Sequence, residues 1–371
     1  MPDRMKPSRL LLRLEAEIAA AKTPLEADCK RAERAAYLAR LGRFDEARGE
    51  VGALQERYGR FPQVEISVRV NLAEGLIAYC ANVGVSTTDR VQRAYALSLA
   101  AAIGPLRAIC SAWLAQWDYS RLDMGALARH VSEALTYADP QNYSARSRAC
   151  LVAAQALHLA GRPDLAKVWY HRAHICATHE GDDVTISALM HNMAWLRMLT
   201  MRQMVLTESG DANAGEHALL NAESTENFDE LKGDSSWQEL KPILRAQIVS
   251  LRGDAAQALA LYEQYLKAAE APSRLQANLL ADKAWCHVSL GQFLQAAQNA
   301  DMALGLLVEE TQVDDRAATH SRLAQVYAAL GDVNRSEDQA ALAKSLWGEH
   351  SLMQARAVEL LAGLDENGRR L

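Results

Sequence analysis

Five of the ten histidines crowd between positions 158 and 191: His158, His171, His174, His179 and His191. In "YHRAHICATHE", His171 and His174 stand one helical turn apart, a spacing that lets two imidazoles share a zinc or nickel ion. A closed site needs further ligands, and no carboxylate or cysteine occupies a completing i+4 position. Cys176, two residues beyond His174, points to another side of the helix. The group therefore reads as polar positions on a solvated helix face, and no metal is expected. The six cysteines, Cys29, Cys80, Cys110, Cys150, Cys176 and Cys286, are scattered singly without a C-x-x-C pair, which suits buried thiols in a reducing cytoplasm. Phosphate loops, dinucleotide fingerprints, G-x-S-x-G elbows and H-E-x-x-H helices do not occur in the sequence. Neither a cofactor nor catalysis is expected; an enzyme would need a constellation assembled across distant helices.

The elements that position these residues read as helices. Half of the 371 residues are hydrophobic and only 6% aromatic, with Ala and Leu dominant, a composition of close-packed helices rather than sheets. The start, "MPDRMKPSRLLLRLEAEIAAA", is an amphipathic helix over 1–22, since Arg13, Glu15 and Glu17 interrupt its apolar run. "AYALSLAAAIGPL" at 94–106 is too short to span a bilayer, so no membrane partner is expected. The formal charge of −6 argues against nucleic acid, which needs a concentrated basic face.

A spacing recurs along the chain. Gly42, Gly161, Gly253, Gly291 and Gly331 are each preceded by seven residues by an alanine (Ala35, Ala154, Ala246, Ala284, Ala324). Each is followed by five by a small residue (Ala47, Ala166, Ala258, Ala296, Ser336). The pattern describes a helical hairpin: the glycine ends the first helix in a left-handed conformation, and the two small residues let the helices approach. Val51, Tyr170 and Tyr262, nine after their glycines, fill the space beside them. A weaker copy, "ESGDANAGEHALL", carries Gly210 and Gly215. Cryptic copies are expected over 62–102, bent near "NVGVSTTD", and 104–138, bent near "WDYSRLD". "TPLE" at 23–26 makes Thr23 an N-cap with Pro24 at the first helical position and Glu26 closing a capping box, and Ser236 with Glu239 repeats the signal. Each hairpin buries its apolar face only against the next, so the units should stack.

The small-residue, glycine, small-residue pattern, continued by Leu54, Ala173, Ala303 and Ala343 seven residues further on, resembles tetratricopeptide repeats over nearly the whole chain. The period near 40 is longer than that family's usual repeat, and the closing proline is mostly missing. It is similar to the longer-helix arrays of bacterial signalling proteins. The resemblance implies an all-α, right-handed α-solenoid of about eight hairpins over 23–348, followed by a capping helix and tail over 349–371. It also implies a non-catalytic, cytoplasmic scaffold that binds protein or peptide or associates with itself. The alternative is a module that senses a ligand or signal peptide.

In such arrays the first helices line a concave groove. The inward positions map to Arg148, Gln155 and His158, then Gln247, then Asn278 and Trp285, then Ser321 and Gln325. Ile243 and Gln247, or Ala281 and Trp285, stand where the family's carboxylate clamp has Lys and Asn, which puts chaperone-tail binding in doubt. "ISALMHNMAWLRMLTMRQMVL" adds His191 and Trp195, and its five methionines (Met190, Met193, Met198, Met201, Met204) are either core or an adaptable binding surface.

Overall fold

The computed structural model describes residues 8–81, 88–207, 240–266 and 273–368. Among these, every regular element is a helix, sixteen in all. A first helix, α1 (Arg9–Ala20), is followed by the hairpins α2 (Pro24–Arg40)/α3 (Phe44–Tyr58), α4 (Val64–Ala81)/α5 (Thr88–Ala100), α6 (Gly104–Ser120)/α7 (Met124–Tyr137) and α8 (Tyr143–Leu159)/α9 (Pro163–Glu180). The long α10 (Asp183–Leu206) precedes α11 (Leu240–Leu251)/α12 (Ala255–Tyr265), α13 (Ser273–Ser289)/α14 (Phe293–Leu306) and α15 (Val313–Ala329)/α16 (Val333–Gly368). The weak copy at 208–220, the bend at 82–87 and the expected Ser236–Glu239 cap lie outside the described residues.

The turns form for the reason the spacing implies. All five repeat glycines have positive φ, from 72° to 90°. The residue after each bonds back to a carbonyl five positions earlier, as in Arg43 N–H to Leu38 O at 2.9 Å and Gln292 N–H to His287 O at 2.8 Å. This closes the helix ends that would otherwise leave carbonyls unsatisfied. Ala35, Ala47, Ala154, Ala166, Ala246, Ala258, Ala284 and Ala296 are wholly buried. In the last hairpin the small pair touches directly: Ser336 Oγ donates to Ala324 O at 3.0 Å. Thr23 caps α2 as expected, accepting from Glu26 N–H at 3.1 Å, while the Glu26 carboxylate accepts from Lys22 N–H, one residue before the expected partner.

The two cryptic hairpins are present. In the second, the turn between α6 and α7 is hidden because Leu122 (φ 58°) rather than glycine holds the left-handed position; Ala102 (φ 54°) does the same between α5 and α6, where one hairpin passes to the next. Leu122 falls on the repeat register, with buried Ala115 seven before it and buried Leu127 five after it. The capping helix expected to begin at 349 is not a separate element: α16 runs through that boundary unbroken. Gly348 does not take a positive φ there, and the residues around it are mostly good helix formers that carry the helix across it.

The helices divide between two compact units. The first contains α1 to α9, α10 through Leu189 and α16 from Ala357; the second contains α10 from Met190, α11 to α15 and α16 through Arg356. Within the first unit α2 packs on α4, α4 on α6 and α6 on α8, and within the second α11 packs on α13 and α13 on α15.

Because Ala284 and Ala296 are sealed in the contact between α13 and α14, Ala284→Leu is expected to overpack it and cost about 1–3 kcal/mol in a thermal or denaturant melt. Ala102 is exposed, so Ala102→Gly removes little but backbone strain. It should raise stability by about 1 kcal/mol, measured the same way.

Candidate functional site

In the first unit, the first helices of four hairpins bring their inner residues to one place. Gly181 turns the chain out of α9 (φ 75°), and Asp182 then caps α10, its carboxylate accepting from Thr185 N–H at 2.9 Å and Thr185 Oγ1 at 2.7 Å. The same carboxylate takes both arms of Arg40, the last residue of α2, at 2.8 and 3.1 Å, and Arg40 also reaches Thr185 Oγ1 at 2.7 Å. This pair joins residues 142 apart in sequence and closes the first hairpin onto the start of α10. Neighbouring contacts reinforce the closure: Arg13 bonds Glu180 at 2.6 Å, Arg9 reaches Asp183 at 3.2 Å, and Leu10 N–H donates to Gly181 O at 3.2 Å. These contacts gather the inner residues of the first helices into one cluster.

Aromatic rings belong to it. Trp113, on α6 and 5% exposed, lies between two guanidiniums, with Arg148 Cζ 4.1 Å and Arg40 Cζ 5.7 Å from its ring centre. Trp117, also on α6, tilts against Tyr79 of α4 at 4.9 Å, and Tyr37 lies under Arg40. Burial alone would raise the Asp182 carboxyl, but the charge and hydrogen bonds of Arg40, with the bonds from Thr185, outweigh it and hold the group below its ordinary value. Desolvation, then the charge of Arg40, lowers Arg148 to about 10, which still leaves it protonated at neutral pH.

Of the expected inward residues, Arg148, Gln155 and His158 on α8 are all buried here. Gln155 Oε1 is sealed from solvent without a hydrogen-bond partner. The His158 ring stands edge-on to Tyr170 at 6.1 Å.

The second unit gathers the remaining positions into buried polar clusters. Arg202 on α10 donates to Asn278 at 2.7 Å and to Asp315 at 2.8 Å, and Gln247 donates to Asn278 at 3.4 Å. Arg322 donates to Asp282 at 3.0 Å and to Gln325 at 2.7 Å, with its guanidinium 5.5 Å from the Trp285 ring centre. Ser321 Oγ donates to Ala317 O at 2.8 Å and accepts from Trp347 Nε1 at 3.0 Å. Asn278, Trp285 and Gln325 are thus engaged by charged groups that repeat spacing did not single out, and Gln247 by Asn278. Trp195 packs, half-buried, on the core around Ala194, Met198 and Leu244. Desolvation, with Lys241 nearby, lowers His191 to about 4. The methionines divide: Met198 and Met201 are core, while Met190, Met193 and Met204 are half-buried.

His171, His174 and His179 are exposed on α9, and His179 stacks on Tyr143 at 5.2 Å. Among the described residues no three His, Cys, Asp or Glu side chains converge as metal ligands, and no helix is long and apolar enough to cross a membrane.

Comparison with known families finds no matching family model, and no curated protein matches the chain.

Asp182→Asn should cost about 3–5 kcal/mol at neutral pH, because it leaves Arg40 buried without its charge partner. With its folded-state pKa depressed, Asp182 contributes its full stability above its unfolded value of about 3.9 and loses it as pH falls through the lower folded value. Denaturant melts from pH 7 to 2 should show the wild type losing its advantage over Asp182→Asn only below about pH 4.

Proposed function

We propose that the chain is a non-catalytic, protein- or peptide-binding scaffold of tetratricopeptide type, a right-handed solenoid of about eight hairpins that works in regulation or assembly in the bacterial cytoplasm. The observation that carries this reading is positional. Six residues before the turns at Leu122, Gly161, Gly253, Gly291 and Gly331, the first helices carry Gln116, Gln155, Gln247, Trp285 and Gln325, a recurring row of polar and aromatic groups, whereas the first hairpin has Ala36 at that place. Superhelical repeat proteins bind along such rows, and a few aromatic or arginine side chains carry most of the affinity.

A second reading, a module that senses a small ligand or signal peptide, is favoured by Arg148. It is a buried cation that no carboxylate of the chain meets among the described residues.

Affinity purification of the tagged protein, followed by identification of what co-elutes, supplies the partner. Trp285→Ala should then weaken binding at least tenfold in calorimetry, while His171→Ala, on the exposed face of α9, should bind as wild type. The reverse pattern would place recognition on the outer helices and contradict the inner-row reading.

A further inference from the structure

We propose that Arg148 is the anchor of a binding site for a carboxylate inside the first unit. Four observations lead there. Arg148 is 8% exposed, its guanidinium carbon lies 4.1 Å from the Trp113 ring centre, and no hydrogen bond or ion pair joins it to the described residues. Arg40, on the other side of the same ring, shows what a satisfied guanidinium looks like in this interior: two bonds to Asp182 and one to Thr185. The cluster holds two guanidiniums and one carboxylate, and Asp182 is taken by Arg40, so one positive charge is in excess. A buried cation left this way is costly to the fold unless an anion completes it.

The chemistry of the missing group follows from those features. One surplus charge matches a monoanion, and the planar fork of a guanidinium matches the two oxygens of a carboxylate. Trp113, Trp117 and Tyr79 supply flat apolar walls against which the carbon skeleton bearing the carboxylate can pack. Gln155 lies seven residues after Arg148, two turns along the same face of α8, and its Oε1 is a buried acceptor without a donor. A ligand that presents a carboxylate to Arg148 and an N–H to Gln155 satisfies both. That combination deepens the peptide-binding reading, and it rests on that reading only for the carrier of the carboxylate.

The test is calorimetric titration of the full chain, at constant ionic strength, with sodium acetate, succinate, phosphate and chloride. Three acetylated alanine peptides are titrated in parallel: one with a free C-terminus, one amide-capped with an internal Asp, and one amide-capped with no acid. Saturable binding is expected for carboxylates and not for chloride, with phosphate weaker. The tighter peptide arm shows whether a chain end or a side chain is read, and tighter binding of succinate than of either peptide shows a free acid.

Arg148→Gln should keep native far-UV circular dichroism and lose at least tenfold in affinity. Gln155→Leu should weaken the peptides more than acetate. Binding unchanged in Arg148→Gln, equal binding of the acid-free peptide, or no carboxylate binding at all would each overturn the site. A failure of Trp285→Ala to affect partner binding would leave these titrations unchanged, so the two proposals fail separately.

Discussion

A guanidinium cannot shed its proton at neutral pH, so every arginine taken out of water must be met by something. Among the described residues, the side chains of Arg40, Arg148, Arg202 and Arg322 are taken almost wholly out of water, and their partners organise what surrounds them. Arg40 is met by Asp182, Arg202 by Asp315 and Arg322 by Asp282, each in a geometry that also engages neutral amides or hydroxyls. Arg148 is met by an indole face alone. Such pairs add little net stability over well-packed apolar residues, but each is strict about position, because a misplaced partner leaves a bare charge. In the first unit this strictness closes the first hairpin on the start of α10. In the second it ties Asn278 and Gln247 to the Arg202–Asp315 pair, and Gln325 and Trp285 to the Arg322–Asp282 pair.

That precision depends on the hairpins beneath it. Wholly buried alanines let the paired helices approach closely, and left-handed residues at the turns fix where each second helix starts. Asp182 shows the coupling most plainly. It is placed by the backbone bond from its own N–H to Ala177 O after the turn at Gly181, and from there its side chain both caps α10 and receives Arg40. A cap, a turn and an ion pair therefore share one residue.

Local features were the legible ones. Glycine turns, small-residue pairs and the Thr23 cap are short-range signals, and they appear where their spacing puts them. Leu122 and Ala102 concealed two turns because a left-handed conformation without glycine leaves no mark in the sequence. Trp113 was missed for the same reason: it stands nine before Leu122, the offset at which Asp282 and Arg322 stand before their glycines, but the register there had no glycine to count from. Asp282 and Arg322, opposite charges at one offset in successive hairpins, were visible in principle. Arg40 and Asp182 were not, since their meeting depends on how five successive first helices are placed. The inward positions on α8 were found by counting, but counting could not tell that one would be paired to nothing.

If Arg148 is retained for a ligand rather than for the fold, removing it from the unliganded protein should cost nothing, whereas removing Arg40 should cost a great deal. The deciding measurement is the denaturant-melt stability of Arg148→Met beside Arg40→Met at neutral pH and without added carboxylate. The charge balance described above predicts that Arg148→Met is as stable as wild type or more so, while Arg40→Met, which strands Asp182, loses about 3–5 kcal/mol. Equal and large losses in both variants would show that Arg148 serves the fold as Arg40 does, and would contradict this reading of the site.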